Sequence, residues 1–263
     1  MVNRPYCFNA VGAFSEINDF DEGGGDSYLV RPPAEGGVGA PYSVVLQGLG
    51  PPNPGHALRD HAGTLLQSGY AGVRIGDPFN PGYRAHVRAA VERQVVPRRA
   101  DPALQMWFVG NEIGLFDRAG RDAPGVRDVR RWLWSDCPAD STPRTALCAP
   151  HRLVAYLSDR YGDLAELNQA WEADYPGVDF RVVVEGPDRP VPYVQACNLQ
   201  CREDLQRFVH EVFLPAWIAL LTGEIRRVDP VHLVASPRLA LAAPDSYAFW
   251  APHEEVWADA PEV

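Results

Sequence analysis

Apolar positions in this chain follow two rhythms, and the alternation between them is the first structural signal. Residues 42–50 (YSVVLQGLG) read as a short buried strand closed by glycines, and the proline-rich turn 51–56 follows. Over 57–70, Leu58, Ala62, Leu65 and Leu66 fall at helical spacing with Gly69 as a stop signal. Residues 71–79 then form a short strand candidate closed by Asp-Pro. The next segment, 81–97, places Tyr83, Val87, Val91 and Val95 on one helical face between two prolines. Residues 105–110 (QMWFVG) are a continuous apolar run, the kind buried on both faces of a parallel sheet.

Farther on, a polar loop spans roughly 115–148, longer than most connections and for that reason a place to look for function. Residues 150–175 read as a helix broken near Gly162 and restarted. A long amphipathic helix covers 201–230, its stripe formed by Leu205, Phe208, Val209, Val212, Phe213, Ala216, Leu220 and Ile225, with a kink expected at Pro215. A strand over 231–239 ends in Pro-Arg, and a last helix is expected at about 244–257. Strands alternating with helices predict βαβ units and a parallel sheet. The chain has 263 residues, a length that suits one α/β domain of the parallel (β/α)8, or TIM-barrel, type, about 250 residues.

Composition narrows the chemistry. The formal charge is −10, which disfavours nucleic acid and acidic polysaccharides as partners and leaves neutral ligands open. All 24 basic residues are arginine, so Schiff-base, pyridoxal-phosphate and P-loop lysine chemistry is excluded. No cofactor is called for. The N-terminus lacks the pattern of a signal peptide, and no run reads as long enough to cross a membrane; a cytoplasmic setting is the default expectation. The oligomeric state is not legible. Cys7, Cys137, Cys148, Cys197 and Cys201 are odd in number and irregularly spaced, unlike a secreted disulfide framework. Plain thiols are the leading expectation, ahead of a disulfide and then of zinc, because C-x10-C and C-x3-C are not tight zinc spacings. The seven histidines are scattered and form no H-x-x-x-H.

In a barrel the reactive groups stand where strands end, at the C-terminal rim. Glu112 and Asn111 follow the 105–110 strand at once. A half-buried carboxylate there can have a raised pKa and act as a general acid, and the amide beside it can bind a sugar hydroxyl. The plainer reading is a loop cap or an arginine pair. Asp77 and Asn80 also fall near a rim, but Asp-Pro and Asn-Pro more often form turns. Trp107 and Phe108 read as core. Trp132, Trp134 and Phe116 in the long loop are the candidates for an exposed sugar platform.

The stretch "MWFVGNEIG" resembles the strand-four signature of the glycoside hydrolase clan that holds the β-galactosidases and β-agarases. Three further stretches are similar to that clan in the same order: 77–112, then "LVAYLSDRYGDLAELNQAW" (153–171), then "RRVDPVHLVASPRL" (226–239). The resemblance implies a TIM-barrel fold and retaining hydrolysis of a β-galactoside-type or related neutral bond in a carbohydrate substrate. It implies Glu112 as the acid/base, Asn111 as the contact to the sugar 2-hydroxyl and Arg238 as a rim arginine lining the sugar site. A salt bridge to a barrel carboxylate is the rival role for Arg238.

A retaining enzyme also needs a nucleophilic carboxylate about 5 Å from the acid/base. The clan supplies it at the end of strand seven, whereas this chain aligns only as far as the approach to that strand. Glu254 and Glu255 read as helix surface and Glu262 as a chain end. The barrel would lack its last two strands, and three explanations stay open: a fragment of a longer reading frame, a miscounted strand, or a degenerate relative. The rival functions are a non-catalytic carbohydrate-binding protein with a remnant site and a different barrel hydrolase working through one carboxylate.

Overall fold

The structure is a computed structural model, and it describes residues 41–59, 65–66, 74–110, 134–185 and 198–235. The chain divides into two compact units: Met1–Leu49, Val87–Ile113 and Leu221–Val263 in the first, Gly50–His86 and Gly114–Leu220 in the second.

The first unit holds a parallel sheet of three strands, β1 (Tyr42–Val45), β2 (Leu104–Phe108) and β3 (Leu233–Ala235), in the order β1-β2-β3. Val44 and Val45 pair with Trp107 and Phe108, which pair in turn with Val234 and Ala235. Helix α1 (Pro81–Val95) lies in the chain between β1 and β2, and helix α6 (Leu214–Val228) precedes β3. Parallel neighbours joined through helices are the βαβ units that the alternation predicts. The described strands do not by themselves make a closed barrel. Residues of β1 are buried throughout, as a strand covered on both faces should be. Central β2 departs from that expectation: Leu104 and Trp107 are buried, but Gln105 is exposed and Met106 and Phe108 are only half-buried. In α1 the predicted face is buried, with Val87, Val91 and Val95 at zero exposure.

Polar clamps hold the sheet to its helices. Gln94 of α1 donates from Nε2 to the carbonyl of Gln47 (2.8 Å) and accepts from the Gln47 N–H (2.8 Å), fixing the chain as it leaves β1. At the opposite edge the Asp229 carboxylate accepts the Trp107 indole N–H (2.7 Å), the N–H groups of Val231 and His232 (3.1 Å each) and a bond with His232 Nδ1 (2.7 Å). Asp229 therefore forms the turn into β3 and anchors β2 with one side chain.

The second unit corrects one expected element. The helical spacing at 57–70 does not yield a helix in its described part. Instead Ala57 bridges Gly76, and Arg59 bridges both Leu65 and Trp134, all antiparallel. Leu58 N–H donates to the Ile75 carbonyl (2.8 Å), and Leu66 N–H to that of Leu58 (2.8 Å). Leu58, Leu66 and Ile75 share a core, so extended pairing to distant residues overrides a local period that fitted both readings. Residues 74–79, read as a strand, contribute bridges and a turn but no member of the parallel sheet.

Helix α2 (Ala149–Tyr161) ends at Gly162, whose φ of 75° suits glycine, and α3 (Leu164–Trp171) starts from an Asp163 cap that accepts the Glu166 N–H. This is the predicted break. Helix α4 (Val182–Glu185) follows, and then α5 (Leu199–Phe208) runs through a π-helical turn, Val209–Phe213, into α6. The π turn is how the helix accommodates Pro215. A regular turn would drive the proline ring against the carbonyl four residues back and leave it without a donor. Contrary to the sequence reading, Leu199–Val228 is long and apolar enough to span a membrane by length and composition. Just over half of its apolar window (56%) is buried in the protein, as in a core helix.

Buried Asp204 of α5 gathers three elements. It accepts from Arg160 Nε (2.8 Å), Trp171 Nε1 (2.8 Å), Gln200 Nε2 (3.0 Å) and the Tyr161 hydroxyl. Asn168 clasps Tyr175 with two backbone bonds of 2.9 Å. Arg160, Tyr161, Asn168 and Trp171, all within the 153–171 stretch, thus build the packing of α2, α3 and α5.

Candidate functional site

Leu46 N–H donates to the Phe108 carbonyl (2.9 Å) and Val109 N–H to that of Ala235 (3.2 Å), so among the described residues the sheet's hydrogen bonds reach Leu46, Val109 and Ala235. Gly110 then turns back with its N–H on the Phe108 carbonyl (2.9 Å) at φ 88°, a conformation that costs any residue with a Cβ. The glycine before Asn-Glu therefore has a local cause: it swings the chain out of the central strand. Asn111 and Glu112, the next two residues, lie outside the described residues, as does Arg238, three positions after β3. So do Phe116, Trp132, Glu254, Glu255 and Glu262 and the helix expected at 244–257.

Several candidates are placed. Trp107 is core, fully buried on its Asp229 bond. Trp134 is 2% exposed, which removes it as a sugar platform; its backbone pairs with Arg59 on both sides and its ring fills the core. Asp77 and Asn80 are turn and cap residues. Asn80 Oδ1 accepts the N–H groups of Gly82 (2.9 Å) and Tyr83 (3.3 Å) at the start of α1, with Pro81 at the first helical position. Asp77 accepts from Phe79 N–H (2.9 Å), Ala149 N–H (2.6 Å) and the Ser135 hydroxyl. It is fully buried, and burial pushes its carboxyl above the usual range against the pull of those hydrogen bonds. Gly76 completes this corner, because a Cβ there would land in the Tyr83 ring.

The cysteines correct the expectation of plain thiols. Cys137 and Cys148 are joined in a disulfide with Cα atoms 5.2 Å apart. Cys201 is also disulfide-bonded, with its partner outside the described residues. His151 stands beside the first pair; its ring and the two sulfurs lie within 4.8 Å of one another. Ser141 Oγ lies 2.8 Å from His151 Nδ1 and 3.6 Å from Cys148 Sγ and accepts the Leu147 N–H (3.1 Å). The bonded sulfurs are not thiolates, so in this state the trio is not a zinc donor set. Irregular spacing concealed the pairing; the available signal was "CAPH" at a helix start, with Cys148 at the cap and Pro150 in the first turn.

No protein-family profile matches the chain, and no curated protein does. Solved structures do. The agarase AgWH50C matches at 18% identity and a TM-score of 0.54, covering 81% of this chain. An exo-beta-agarase matches at 15% identity and a TM-score of 0.54 over 76% of it, and PfGH50B at 14% and 0.53 over 76%. The chain spans only 27%, 24% and 25% of those three chains, respectively. At these identities the likeness concerns the fold: over most of its length this chain folds as part of an agarase does.

Proposed function

We propose that this chain is the acid/base-bearing part of a (β/α)-barrel glycoside hydrolase acting on β-galactoside-type or related neutral bonds. In this reading Glu112 protonates the leaving oxygen and then activates water in a retaining reaction. Asn111 holds the sugar 2-hydroxyl, and Arg238 lines the sugar site. The observation that carries the reading is the position of β2. It is the middle strand of three parallel strands, and its C-terminal end runs through Gly110 into Asn-Glu. The C-terminal edge of a parallel sheet is where such barrels keep their chemistry. Phe108 pairs with Ala235 in the neighbouring strand, and Arg238 follows that strand three residues later in the sequence. The agarase-like fold adds support.

A second reading is a carbohydrate-binding protein without hydrolysis. It draws on the edge itself. Among the described residues there (Leu46, Gln47, Gly48, Leu49, Val109, Gly110 and Ala235) none is a carboxylate that could act as nucleophile. Hydrolysis of nitrophenyl β-glycosides and agar oligosaccharides, by the native chain and by Glu112→Gln, separates the readings. The variant is expected to lose activity by a factor of about 10²–10⁴. Equal rates would remove Glu112 from the acid/base role. Oligosaccharide binding with no hydrolysis by either protein is the outcome that the second reading expects.

A further inference from the structure

We infer that Cys137–Cys148 is a reversible redox clasp, opened by thiol attack on Cys137 with Cys148 as the leaving thiolate. The two sulfurs are unequal. Cys137 is half-buried, whereas Cys148 has no exposed surface. An incoming thiolate therefore reaches Cys137.

The surroundings of Cys148 suit a departing thiolate. It caps the N-terminus of α2, a helix of thirteen residues whose dipole favours negative charge there; of the first two N–H positions, Ala149 is taken by Asp77 and Pro150 has no donor. Ser141 Oγ already accepts the Leu147 N–H. When His151 donates from Nδ1 to the same oxygen, the Ser141 O–H is turned toward Cys148 Sγ. A buried imidazole and a hydroxyl thus line up behind one sulfur. Burial of Cys148 works against the thiolate, and the Asp77 carboxyl shares the same helix end.

The chemistry balances with a thiol reductant. A thiolate attacks Cys137 Sγ, the Cys137–Cys148 bond breaks, and a mixed disulfide forms on Cys137 as Cys148 leaves with the electron pair and takes up a proton. A second thiolate then attacks the mixed disulfide at the sulfur of the first thiol, releasing the oxidised reductant and the Cys137 thiol. Two electrons pass to the protein.

Opening the clasp acts on Asp77. Two of its three donors, Ser135 and Ala149, flank the two cysteines closely in the chain, so the disulfide holds both against one buried carboxyl. Reduction loosens that corner and leaves the parallel sheet, whose clamps are elsewhere.

The native chain is incubated with glutathione and quenched with an alkylating reagent, and each cysteine is read by peptide mass spectrometry. Cys137–Cys148 is expected to open in the folded protein without denaturant, with the early glutathione adduct on Cys137 and the free thiol on Cys148. Survival of Cys137–Cys148 until denaturant unfolds the chain overturns the inference, and so does an adduct on Cys148. Ser141→Ala keeps the disulfide but removes the hydroxyl, and slower opening is expected. Faster opening would show that loosening of the fold, rather than thiolate stabilisation, controls the reaction, and would also overturn it.

Discussion

Asp229 and Asp77 invite comparison because both are nearly inaccessible aspartates in Asp-Pro pairs, each accepting backbone and side-chain hydrogen bonds. Burial pushes both carboxyls up, yet their net shifts run in opposite directions. Desolvation raises the Asp229 pKa, but bonds from Trp107, His232 and Val231 outweigh it, and the carboxyl lies below its ordinary range. For Asp77 desolvation wins and the pKa is raised. The difference is depth. Asp229 is followed by exposed Pro230 and exposed Val231, while Asp77 is enclosed by Ser135, Ala149 and the 77–80 turn. The donors differ too: two of those on Asp229 are neighbours in sequence, whereas two of those on Asp77 arrive from 58 and 72 residues away. A count of hydrogen bonds therefore does not set the charge of a buried acid.

The largest expected effect comes from removing the deeper acid. Asp77→Ala strands buried donors at Phe79, Ala149 and Ser135, and a loss of about 4 kcal/mol in denaturant-derived stability is expected. A loss below about 1 kcal/mol would mean that those donors find water and that the corner is not closed.

Next is the clasp. Replacing Cys137 and Cys148 together by serine reopens a short loop and should cost about 3 kcal/mol in the chain-entropy view. The comparison adds a sharper requirement. NMR titration of the variant should show the Asp77 carboxyl moved and the Asp229 carboxyl unmoved, since only Asp77 depends on donors next to the cysteines. Equal displacement of both would break the contrast.

Trp107→Phe tests the other side. It keeps the ring in the core and removes the indole donor to Asp229, for an expected cost of about 2 kcal/mol, the scale of a bond to a charged acceptor. The Asp229 pKa should rise toward its ordinary value in the same variant.

The smallest effect is the pH dependence of stability, where the two acids have opposite signs. Asp229 holds its proton less tightly folded than unfolded, so its contribution is present above the ordinary aspartate pKa near 4 and is lost as pH falls through the lower folded value. Asp77 holds its proton more tightly when folded, so its contribution is present below about pH 4 and is lost as pH rises toward the folded value. Each slope is at most about 1.4 kcal/mol per pH unit. In urea titrations across pH, Asp229→Asn should flatten the acid side and Asp77→Asn the falling limb above pH 4. Matching profiles in the two variants would refute the opposed directions.

Helix α1, the α2–Gly162–α3 break and the run through Leu199–Val228 were legible because their apolar stripes and stop signals are local. The 57–66 segment was not, since Leu58 and Leu66 fit a helical period as well as an extended one, and Ile75 and Trp134 decided between them. The motifs behind the glycosidase resemblance gained a physical role. Arg160, Tyr161 and Trp171 converge on Asp204, while Asp229 and His232 pair at the entry to β3. These residues preserve a fold, and their likeness says more about architecture than about substrate. Of the proposed site, the sequence located the strand that leads to Asn111 and Glu112, and the structure added the turn at Gly110.

By itself, then, the sequence determined the periodic elements, their caps and the order in which strands alternate with helices, because each depends on residues a few positions apart. Only the tertiary structure decided which cysteines bond, that Trp134 is core, and which of two buried aspartates leans toward its charged form. Those outcomes depend on partners brought together from distant parts of the chain and on how completely water is excluded where they meet.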